Sequence, residues 1–315
     1  MAVSEIKVRI IKNTMGSRIK TELVRNRYLY LLLIPVAAYY LIFLYGPMFG
    51  LVIAFQQYNI GQGFLGSPWV GLQYFKEFFS GIYFSRTLTN TFIISFLSIV
   101  FGFPIPIVFA LLLNELRNQK FKKVVQTVTY LPHFISLVVI CGMIMDFFST
   151  DGIISKLIEK LGGENASYIA SPKWFRGIFV ATDIWQNFGW DSIIYLAALA
   201  GVDTELYEAA TIDGAGRFQQ IWHVTLPGIL PTVMIMLILR MGQVLSVGYE
   251  KIILLYSPAT YEVADVISSY VYRMGITGSR YSYSTAVGLF QSVINVVMLL
   301  LANGLSARFS ETSLF

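Results

Sequence analysis

The sequence contains few of the residue types that build most enzyme and metal sites. Its 315 residues include one cysteine, Cys141, so an intrachain disulfide is excluded, and the apolar run around Cys141 predicts a buried side chain. The two histidines, His133 and His223, stand far apart and in no metal-ligand spacing, so the sequence predicts no metal site. A G-x-x-x-x-G-K-[ST] phosphate loop is also absent. These absences favour a protein that is not an enzyme and that binds no cofactor itself.

Charged residues are also scarce. They make up 13% of the chain against 56% hydrophobic residues, and the mean hydropathy of +0.64 is too high for a soluble protein of this length. The net charge of +5 does not indicate nucleic-acid binding, because much of it lies in a basic N-terminal segment. Seven of the 23 basic residues belong to that segment: Lys7, Arg9, Lys12, Arg18, Lys20, Arg25 and Arg27. The composition therefore predicts an integral protein of the lipid bilayer.

Six runs are long enough to cross a bilayer as helices, since a crossing needs about 20 predominantly apolar residues. They cover residues 29–55, 88–113, 124–148, 176–200, 229–249 and 284–306. Pro47, Pro104, Pro106 and Pro132 predict local bends, because proline lacks a backbone donor and crowds the preceding turn. The sequence predicts an all-α polytopic membrane protein with six transmembrane helices.

Basic residues between the runs predict the orientation. The short 114–123 connection carries four Lys or Arg residues, whereas the longer 57–87 connection carries two. Because connections rich in Lys and Arg stay in the cytoplasm, both termini are predicted to be cytoplasmic. The predicted organisation is a basic tail over 1–28, a membrane domain over 29–306 that includes a cytoplasmic loop at 201–227, and a tail over 307–315.

A polar, small-residue segment between the fourth and fifth runs predicts a protein-docking surface. It reads Tyr-Glu-Ala-Ala-Thr-Ile-Asp-Gly-Ala over residues 207–215 and is followed by Phe218 and by Leu226-Pro227. Helical spacing on both sides of Gly214 predicts two short helices joined there. The small residues permit close approach by another backbone, and Glu208 offers a carboxylate to a basic partner. An amphipathic loop lying on the membrane is the alternative.

This segment resembles the EAA loop of ABC-importer permeases, in which Glu-Ala-Ala, a following Gly and a later Leu-Pro form a cytoplasmic helical elbow. Val224 stands where that family usually has Ile, a departure that keeps a β-branched apolar residue. The stretches 264–273 (ADVISSYVYR) and 281–290 (YSYSTAVGLF) resemble the LplB-type permeases of oligosaccharide and polysaccharide importers. The resemblance extends over essentially the whole chain, and it implies the type I ABC importer permease fold in a bacterial cell membrane.

The resemblance also implies partners and a mechanism. Permeases of that branch work as pairs of different subunits, bound to two ATP-binding cassette subunits and served by an extracytoplasmic solute-binding lipoprotein. ATP and Mg²⁺ would be bound by those ATPase subunits, and this chain would form half of an oligosaccharide path that opens alternately to either side. The coupling residues expected from the motif are Glu208, Ala209, Ala210, Asp213 and Gly214.

Polar residues within the apolar runs are the candidates for the substrate path. An Asp or Arg at the centre of a membrane helix costs about 2.5–3.5 kcal/mol on insertion scales, so it needs a partner or a water-filled cavity. Sugars present hydroxyls and flat apolar faces, which suit amides and carboxylates beside aromatic rings. The predicted path residues are Trp185, Gln186, Asn187, Trp190, Asp191, Arg240 and Gln243.

Depth along the helices supports this choice. Counting from the ends of the runs places Arg240 and Gln243 near the middle of the fifth span, with Arg240 at the depth of Asp191. A purely structural alternative is that Asp191 and Arg240 neutralise each other while the tryptophans anchor the helix at the membrane interface.

Two other classes of function are compatible with an apolar bundle. An ion-coupled secondary sugar transporter would act alone and would move its substrate without ATPase subunits. A membrane enzyme or scaffold is the other, although an enzyme would need a clustered nucleophile, acid and base. The Tyr- and Ser-rich loop over 250–282, with a short helix expected at 262–273, is either a landing surface for a binding protein or a cap on the bundle.

Overall fold

The structure, a computed structural model, describes residue 22 and residues 24–309, the last two by their backbone alone. Most of the predicted basic tail and the end of the predicted C-terminal tail lie outside the described residues. The chain divides into two units, one that ends at Val52 and one that begins at Ile53.

Helices form nearly all of the regular structure, and the only β pairing among the described residues is one antiparallel bridge between Gln56 and Trp69. The α-helices are Arg27–Tyr39, Gly46–Met48, Gly63–Gly66, Gln73–Ser80, Ile82–Leu97, Pro104–Asn114, Gln119–Tyr130, Leu137–Phe148, Ile153–Lys160, Pro172–Leu199, Thr204–Ile212, Arg217–Gln220, Leu226–Met241, Tyr249–Leu255, Tyr261–Ala264, Ile267–Tyr272 and Tyr281–Phe309. The π-helical segments are Tyr40–Tyr45, Ser98–Gly102, Ile221–Thr225 and Arg273–Thr277, and the 3₁₀ segments are Phe49–Phe55 and Leu131–Phe134.

Five of the described helical stretches are long and apolar enough to cross a membrane: Arg27–Phe55, Ile82–Asn114, Leu137–Lys160, Arg217–Met241 and Tyr281–Ala307. The fourth predicted run is also helical, because Pro172–Leu199 is one 28-residue helix. At about 1.5 Å per residue it is long enough to span a bilayer, but its carboxylates and amides make it more polar than the other five. The all-helical polytopic fold predicted from the sequence is confirmed.

The third predicted span, 124–148, is wrong as a single helix. The chain forms Gln119–Tyr130, a short 3₁₀ turn that contains Pro132, and then an extended pair of residues before a new helix begins at Leu137. Pro132 lacks the N–H needed to continue the first helix, and several lysines give that helix a charged face. The membrane-crossing candidate in this region is therefore Leu137–Lys160.

The fifth predicted span, 229–249, also needs correction, because the continuous helix runs from Arg217 to Met241. Arg240 lies in its last turn and not near its middle, and Gln243 lies beyond its end. The chain turns at Gly242, where an added Cβ would come within 2.5 Å of the Leu299 side chain. The absence of a side chain at Gly242 permits this contact, and the helix ends earlier than hydropathy predicts.

A π-helical segment precedes a proline in three helices. These pairs are Tyr40–Tyr45 with Pro47, Ser98–Gly102 with Pro104, and Ile221–Thr225 with Pro227. In each case the residue four positions before the proline lies in the π segment, and its carbonyl is the one that a proline ring would crowd. A local change of hydrogen-bond register relieves that clash without ending the helix. Two of the prolines predicted to disturb their helices, Pro47 and Pro104, follow such a segment, and Pro227 adds a site that the sequence analysis did not predict.

The Pro172–Leu199 helix runs through the interior and connects two apolar clusters. Near its start, Phe175 packs in a cluster that includes Cys141, which is 1% exposed and thus buried as the sequence predicted. Near its end, Tyr195 packs in a second cluster with Ile229 of the fifth span. This helix therefore holds the bundle together along its whole length.

Gly189 allows a close approach between two helices. A Cβ built on Gly189 would lie 2.3 Å from the carbonyl oxygen of Thr129, on the Gln119–Tyr130 helix. The two backbones are in direct contact, as small residues permit between membrane helices.

A buried carboxylate anchors the 249–277 segment, which we call the cap. Asp265 is fully buried, accepts hydrogen bonds from Arg273 at 2.6 and 3.0 Å, and lies 3.1 Å from Arg86 on the Ile82–Leu97 helix. Ser269 donates a further bond to the same carboxylate at 2.9 Å. Each oxygen of the buried charge is thus bound, and the cap is attached to the bundle.

The helix expected at 262–273 is interrupted. Two short helices, Tyr261–Ala264 and Ile267–Tyr272, are separated by extended residues at Asp265 and Val266. The freed carbonyl of Asp265 accepts a bond from Asn90 at 3.0 Å. The break therefore leaves the carbonyl of Asp265 available to Asn90.

Replacing Gly189 by alanine should destabilise the bundle by about 1–3 kcal/mol, because the added methyl would overlap the backbone of Thr129. Thermal unfolding of the purified chain would measure the change. Gly177→Ala is the matched control on the same helix, since nothing lies within 4 Å of its added Cβ. Equal stability of both variants would contradict the close approach.

Replacing Asp265 by asparagine should cost about 3–5 kcal/mol, because two arginines would lose a buried counter-charge. The measured quantity is the unfolding temperature, together with protease sensitivity of the cap. Asp151→Asn, which removes the exposed pair with Lys156 at 3.7 Å, should change stability by about 0–1 kcal/mol. A cap that stays protected in Asp265→Asn would be inconsistent with the anchoring role.

Candidate functional site

Residues 203–225, which we call the elbow, begin with a well-capped helix. The side chain of Asp203 accepts a hydrogen bond from the backbone N–H of Glu205 at 2.9 Å, at the start of Thr204–Ile212. Glu205 in the first turn also complements the positive end of the helix dipole. The sequence Asp-Thr-Glu therefore fixes where the elbow starts.

A tight turn at Gly214 ends this first helix. Gly214 has a φ of +77°, a left-handed conformation that favours glycine. The N–H of Ala215 donates to the carbonyl of Ala210 at 2.8 Å, and that of Gly214 donates to Thr211 at 3.1 Å. These two bonds form a Schellman motif, which satisfies the last carbonyls of the helix. The predicted short first helix and the turn at Gly214 are confirmed, whereas the second helix, which begins at Arg217, continues into the fifth span as far as Met241.

Side-chain amides then lock the second half of the elbow. Gln219 accepts a bond from the backbone N–H of Gly216 at 2.8 Å, which caps the second helix. Gln220 donates to the hydroxyl of Thr211 at 3.0 Å and to the carbonyl of Ala215 at 3.2 Å. The two helices are thus tied to each other as one body.

The elbow is also attached to two long helices. Tyr207 donates a hydrogen bond at 3.0 Å to Thr225, which is nearly fully buried at the start of the Leu226–Met241 helix. Arg217 forms an ion pair at 3.2 Å with Glu115, which follows the Pro104–Asn114 helix. A force on the elbow therefore reaches the ends of two membrane helices directly.

The outer surface of the elbow is exposed and apolar. Ile212 and Phe218 are 86% and 73% exposed, and Leu206 and Trp222 are also largely exposed. Among the described residues, no hydrogen bond or ion pair uses the carboxylate of Glu208. Large exposed apolar side chains around an unpaired charge are typical of a protein-binding surface.

A hollow of about 320 Å³ lies beside these residues. Three of the five residues expected to couple lie in its wall, whereas Glu208 and Ala209 lie outside it on the same helix. The lining consists of Ala210, Asp213, Gly214, Ala215, Gln219, His223 and Val224.

A second cavity, of about 330 Å³, lies between the membrane helices and is mostly polar. Four of the predicted path residues line it: Asn187, Asp191, Arg240 and Gln243. The other lining residues are Ser95, Ser98, Ile99, Phe179, Asp183, Val244, Ser246, Val247 and Gly248. Below it is called the membrane cavity.

Helix periodicity explains which residues reach the membrane cavity. Asp183, Asn187 and Asp191 are spaced four apart and share one face of the Pro172–Leu199 helix. Trp185, Gln186 and Trp190 point from other faces and do not belong to the lining. Gln186 is buried and Trp185 is exposed. The four-residue spacing in the sequence could have identified Asp183 as a lining residue.

Trp190 supports the membrane cavity from behind. Its ring stacks on His133, with the ring centres 4.6 Å apart and the planes at 3°. Nδ1 of His133 lies 3.0 Å from the side-chain oxygen of Asn187, and the amide of Asn187 donates to the carbonyl of Asp183 at 3.1 Å. Because the side-chain nitrogen of Asn187 donates to Asp183, the side-chain oxygen of Asn187 faces His133 and accepts a hydrogen bond from Nδ1–H. His133, which the sequence analysis considered only as a metal ligand, thus orients Asn187.

Lys251 compensates one of the carboxylates. It is 3% exposed, and its ammonium lies 3.5 Å from Asp183 and 3.4 Å from the carbonyl of Phe179. Burial lowers the pKa of Lys251, while Asp183 opposes that shift. Sequence analysis placed Lys251 in a loop and missed this role, because the contact joins residues 68 positions apart.

Replacing Gly214 by alanine should strain the elbow by about 1 kcal/mol, because a side chain disfavours its positive φ. Hydrogen exchange of the Ala215 amide should become about fivefold faster as its bond to Ala210 opens more often. Gly214→Asn should show a smaller effect, because asparagine tolerates this conformation better. Identical exchange in all three proteins would argue against the turn.

Known proteins resemble this chain over most of its length. The chain matches the family described as binding-protein-dependent transport system inner membrane component over residues 78–311. It is 47% identical to Protein LplB of Bacillus subtilis (strain 168), over 92% of each chain. It is 42% identical to the polygalacturonan/rhamnogalacturonan transport system permease protein YteP of the same organism, over 97% of this chain and 96% of that protein.

Solved structures agree with these relatives. The fold is similar, with a TM-score of 0.86 and 43% identity, to a chain of a bacterial ABC transporter involved in the import of the acidic polysaccharide alginate. The alignment covers 93% of this chain and 99% of that one. The bacterial alginate ABC transporter in complex with an alginate pentasaccharide-bound periplasmic protein gives the same TM-score and identity, over 94% and 100%. The chain belongs to the family of binding-protein-dependent transport system inner membrane components, as the resemblance of its elbow predicted.

Proposed function

We propose that this chain is the transmembrane permease subunit of an ATP-driven importer of oligosaccharides. The observation that carries the proposal is the elbow, which exposes an apolar surface around Glu208 and is bonded to two membrane helices. A soluble ATPase bound to this surface would move the membrane helices through these two contacts. The chain itself lacks a phosphate loop, so ATP and Mg²⁺ are bound by partner subunits.

Coupling is assigned to Glu208, Ala209, Ala210, Asp213 and Gly214. The Schellman turn keeps the last four in a fixed arrangement with little bulk, so an ATPase subunit can approach the backbone closely. Glu208 is available to a basic residue of that subunit. Closure of the ATPase pair would pull the elbow, and Tyr207 and Arg217 would pass the movement to the helices.

The proposed assembly contains a second, homologous permease, two ATP-binding cassette subunits and an extracytoplasmic solute-binding lipoprotein. A relative of known structure is described in complex with a periplasmic protein bound to a pentasaccharide, which supports the last partner. The bias of basic residues supports an orientation in a bacterial inner membrane with the elbow and both termini in the cytoplasm. The tails over 1–28 and 307–315 would then flank the membrane domain on that side.

Oligosaccharide cargo is supported by the relatives and by the membrane cavity. One relative that aligns over nearly the whole chain is described as involved in the import of alginate, and another belongs to a polygalacturonan/rhamnogalacturonan transport system. The cavity offers an amide pair, Asn187 and Gln243, beside Asp191 and Arg240, which suits a ligand rich in hydroxyls. Opening the cavity alternately to either side of the membrane would move the sugar.

Glu208→Lys should abolish most ATP-driven uptake, because it places a positive charge against a basic partner. We expect association with the ATPase subunits to weaken about tenfold or more, with the permease still inserted in the membrane. Copurification of the ATPase subunits and sugar uptake into vesicles would measure the two effects.

The matched control is Glu164→Lys, which makes the same charge change at another exposed residue, outside the elbow and outside the candidate spans. It should leave both measurements unchanged. Normal uptake by Glu208→Lys, or uptake by vesicles without ATPase subunits and driven by an ion gradient, would refute the proposed coupling.

A further inference from the structure

The Gln119–Tyr130 helix packs one face on the bundle and leaves the other face uncovered by any described part of the chain. On the packed face, the backbone of Thr129 meets Gly189 of the Pro172–Leu199 helix. The uncovered face and the connection before it carry exposed side chains that are mainly basic or apolar. We call this surface the open face, and it consists of Arg117, Lys120, Phe121, Lys123, Val124 and Val128. A partner of the open face must therefore be both charged and apolar.

Positive charge on the open face is concentrated at one end. Arg117, Lys120 and Lys123 lie within seven positions, and none of the ion pairs among the described residues uses them. Glu115, the acidic residue nearest in sequence, is already in an ion pair at 3.2 Å with another arginine. No further acidic residue occurs in the sequence before Asp146. This end of the open face therefore attracts anions.

Apolar side chains occupy the rest of the open face. Phe121, Val124 and Val128 are largely exposed, and their spacing of three and four residues places them in one stripe along the helix. At about 1.5 Å per residue, Val128 lies about 12 Å along the axis from Lys120. The open face thus changes from basic to apolar along the helix, as a lipid leaflet changes from headgroups to hydrocarbon.

Two contacts give the direction of this helix. Thr129 meets Gly189, and further along the chain Nδ1 of His133 lies 3.0 Å from the side-chain oxygen of Asn187. A later residue on one side thus meets an earlier residue of the Pro172–Leu199 helix, so the two segments run antiparallel. The basic end of the open face therefore points toward the end of Pro172–Leu199, where the elbow begins.

The lengths of the two helices place the basic end at the edge of the bundle. Lys120 precedes Thr129 by nine residues, which corresponds to about 13 Å of helix. Leu199 follows Gly189 by ten residues, which corresponds to about 15 Å. Lys120 therefore lies at about the depth of Leu199, and the apolar stripe extends from there into the membrane.

We infer that the open face binds the anionic headgroups of phospholipids in the leaflet at the elbow end of the bundle. Ammonium and guanidinium groups donate charge-assisted hydrogen bonds to phosphate oxygens, and the apolar stripe lies along the acyl chains. An acidic protein surface or a free phosphate would complement the basic end but would leave the apolar stripe in water. A phospholipid with a net negative charge complements both parts of the open face.

The bound lipid would lie next to an attachment point of the elbow. Glu115, which holds Arg217 of the elbow at 3.2 Å, is separated from Arg117 by one residue. A headgroup bound at Arg117 would therefore hold this connection at a fixed depth in the leaflet. The elbow would then move against a support that depends on the charge of the surrounding lipids.

Lipid binding to the purified full chain tests the inference without any measurement of transport. The chain in detergent micelles is titrated with phosphatidylglycerol or with phosphatidylcholine of the same acyl chains, and bound lipid is counted by native mass spectrometry. Phosphatidylglycerol should bind about 10- to 100-fold more tightly, since each basic residue near an anionic headgroup strengthens binding about fivefold. Excess inorganic phosphate, compared with sodium chloride at the same ionic strength, should not displace it.

Paired lysine variants assign the binding to the open face. The double variant Lys120→Gln and Lys123→Gln should lower the preference for phosphatidylglycerol about tenfold or more. The matched control, Lys76→Gln and Lys173→Gln, removes the same two charges at exposed positions outside the open face and outside the candidate spans. It should keep the full preference.

A photo-reactive side chain identifies the occupant in the assembled protein. Phe121→benzoylphenylalanine is placed in the assembly copurified with this chain and reconstituted in vesicles of phosphatidylglycerol and phosphatidylcholine. Illumination should crosslink position 121 to lipid, because Phe121 begins the apolar stripe beside Lys120. This measurement keeps all the basic residues, so it does not depend on whether the double lysine variant folds.

Four results would overturn the inference. They are equal binding of the two lipids, a preference that survives the double lysine variant, displacement by inorganic phosphate, and a crosslink from position 121 to a protein subunit in place of lipid. None of these results bears on ATP-driven uptake, so the proposed function would stand or fall separately.

Discussion

A charge between membrane helices must be compensated by an opposite charge, by a helix end or by water, and this constraint organises the structure. Asp265 is compensated by two arginines and is fully buried, and its role is to hold the cap. Asp183 and Lys251 compensate each other at the wall of the membrane cavity. Asp191 and Arg240 line the same cavity with opposite charges, and no ion pair within 4.0 Å joins them among the described residues.

The same division between bonded and free groups is found in the elbow. Its interior bonds are made by its own backbone and polar side chains, and Tyr207 and Arg217 connect it to the ends of two long helices. Its outer surface keeps Glu208 and several large apolar side chains exposed. A rigid part with an open outer surface can transmit movement, because a force applied there is not absorbed by bending within the elbow.

Proline positions illustrate how far sequence reasoning reaches. Pro47, Pro104 and Pro132 each lie at a departure from regular α-helix, as the sequence predicts. The form of each departure depends on the surroundings. A π segment carries the helix past Pro47, Pro104 and Pro227, whereas Pro132 ends its helix and displaces the third span. Hydropathy averages over about 20 residues and does not register such local choices.

The sequence alone determined the membrane class, the helical fold, the elbow with its turn at Gly214 and the family, because these depend on composition and on local patterns of residues. It also identified four residues that line the membrane cavity, since a polar residue in an apolar run is conspicuous. Only the tertiary structure decided that Trp190 lies behind the cavity, that His133 orients Asn187, and that Lys251 compensates Asp183. Those assignments depend on which face of a helix meets a neighbour distant in sequence, and that is set by packing of the whole bundle.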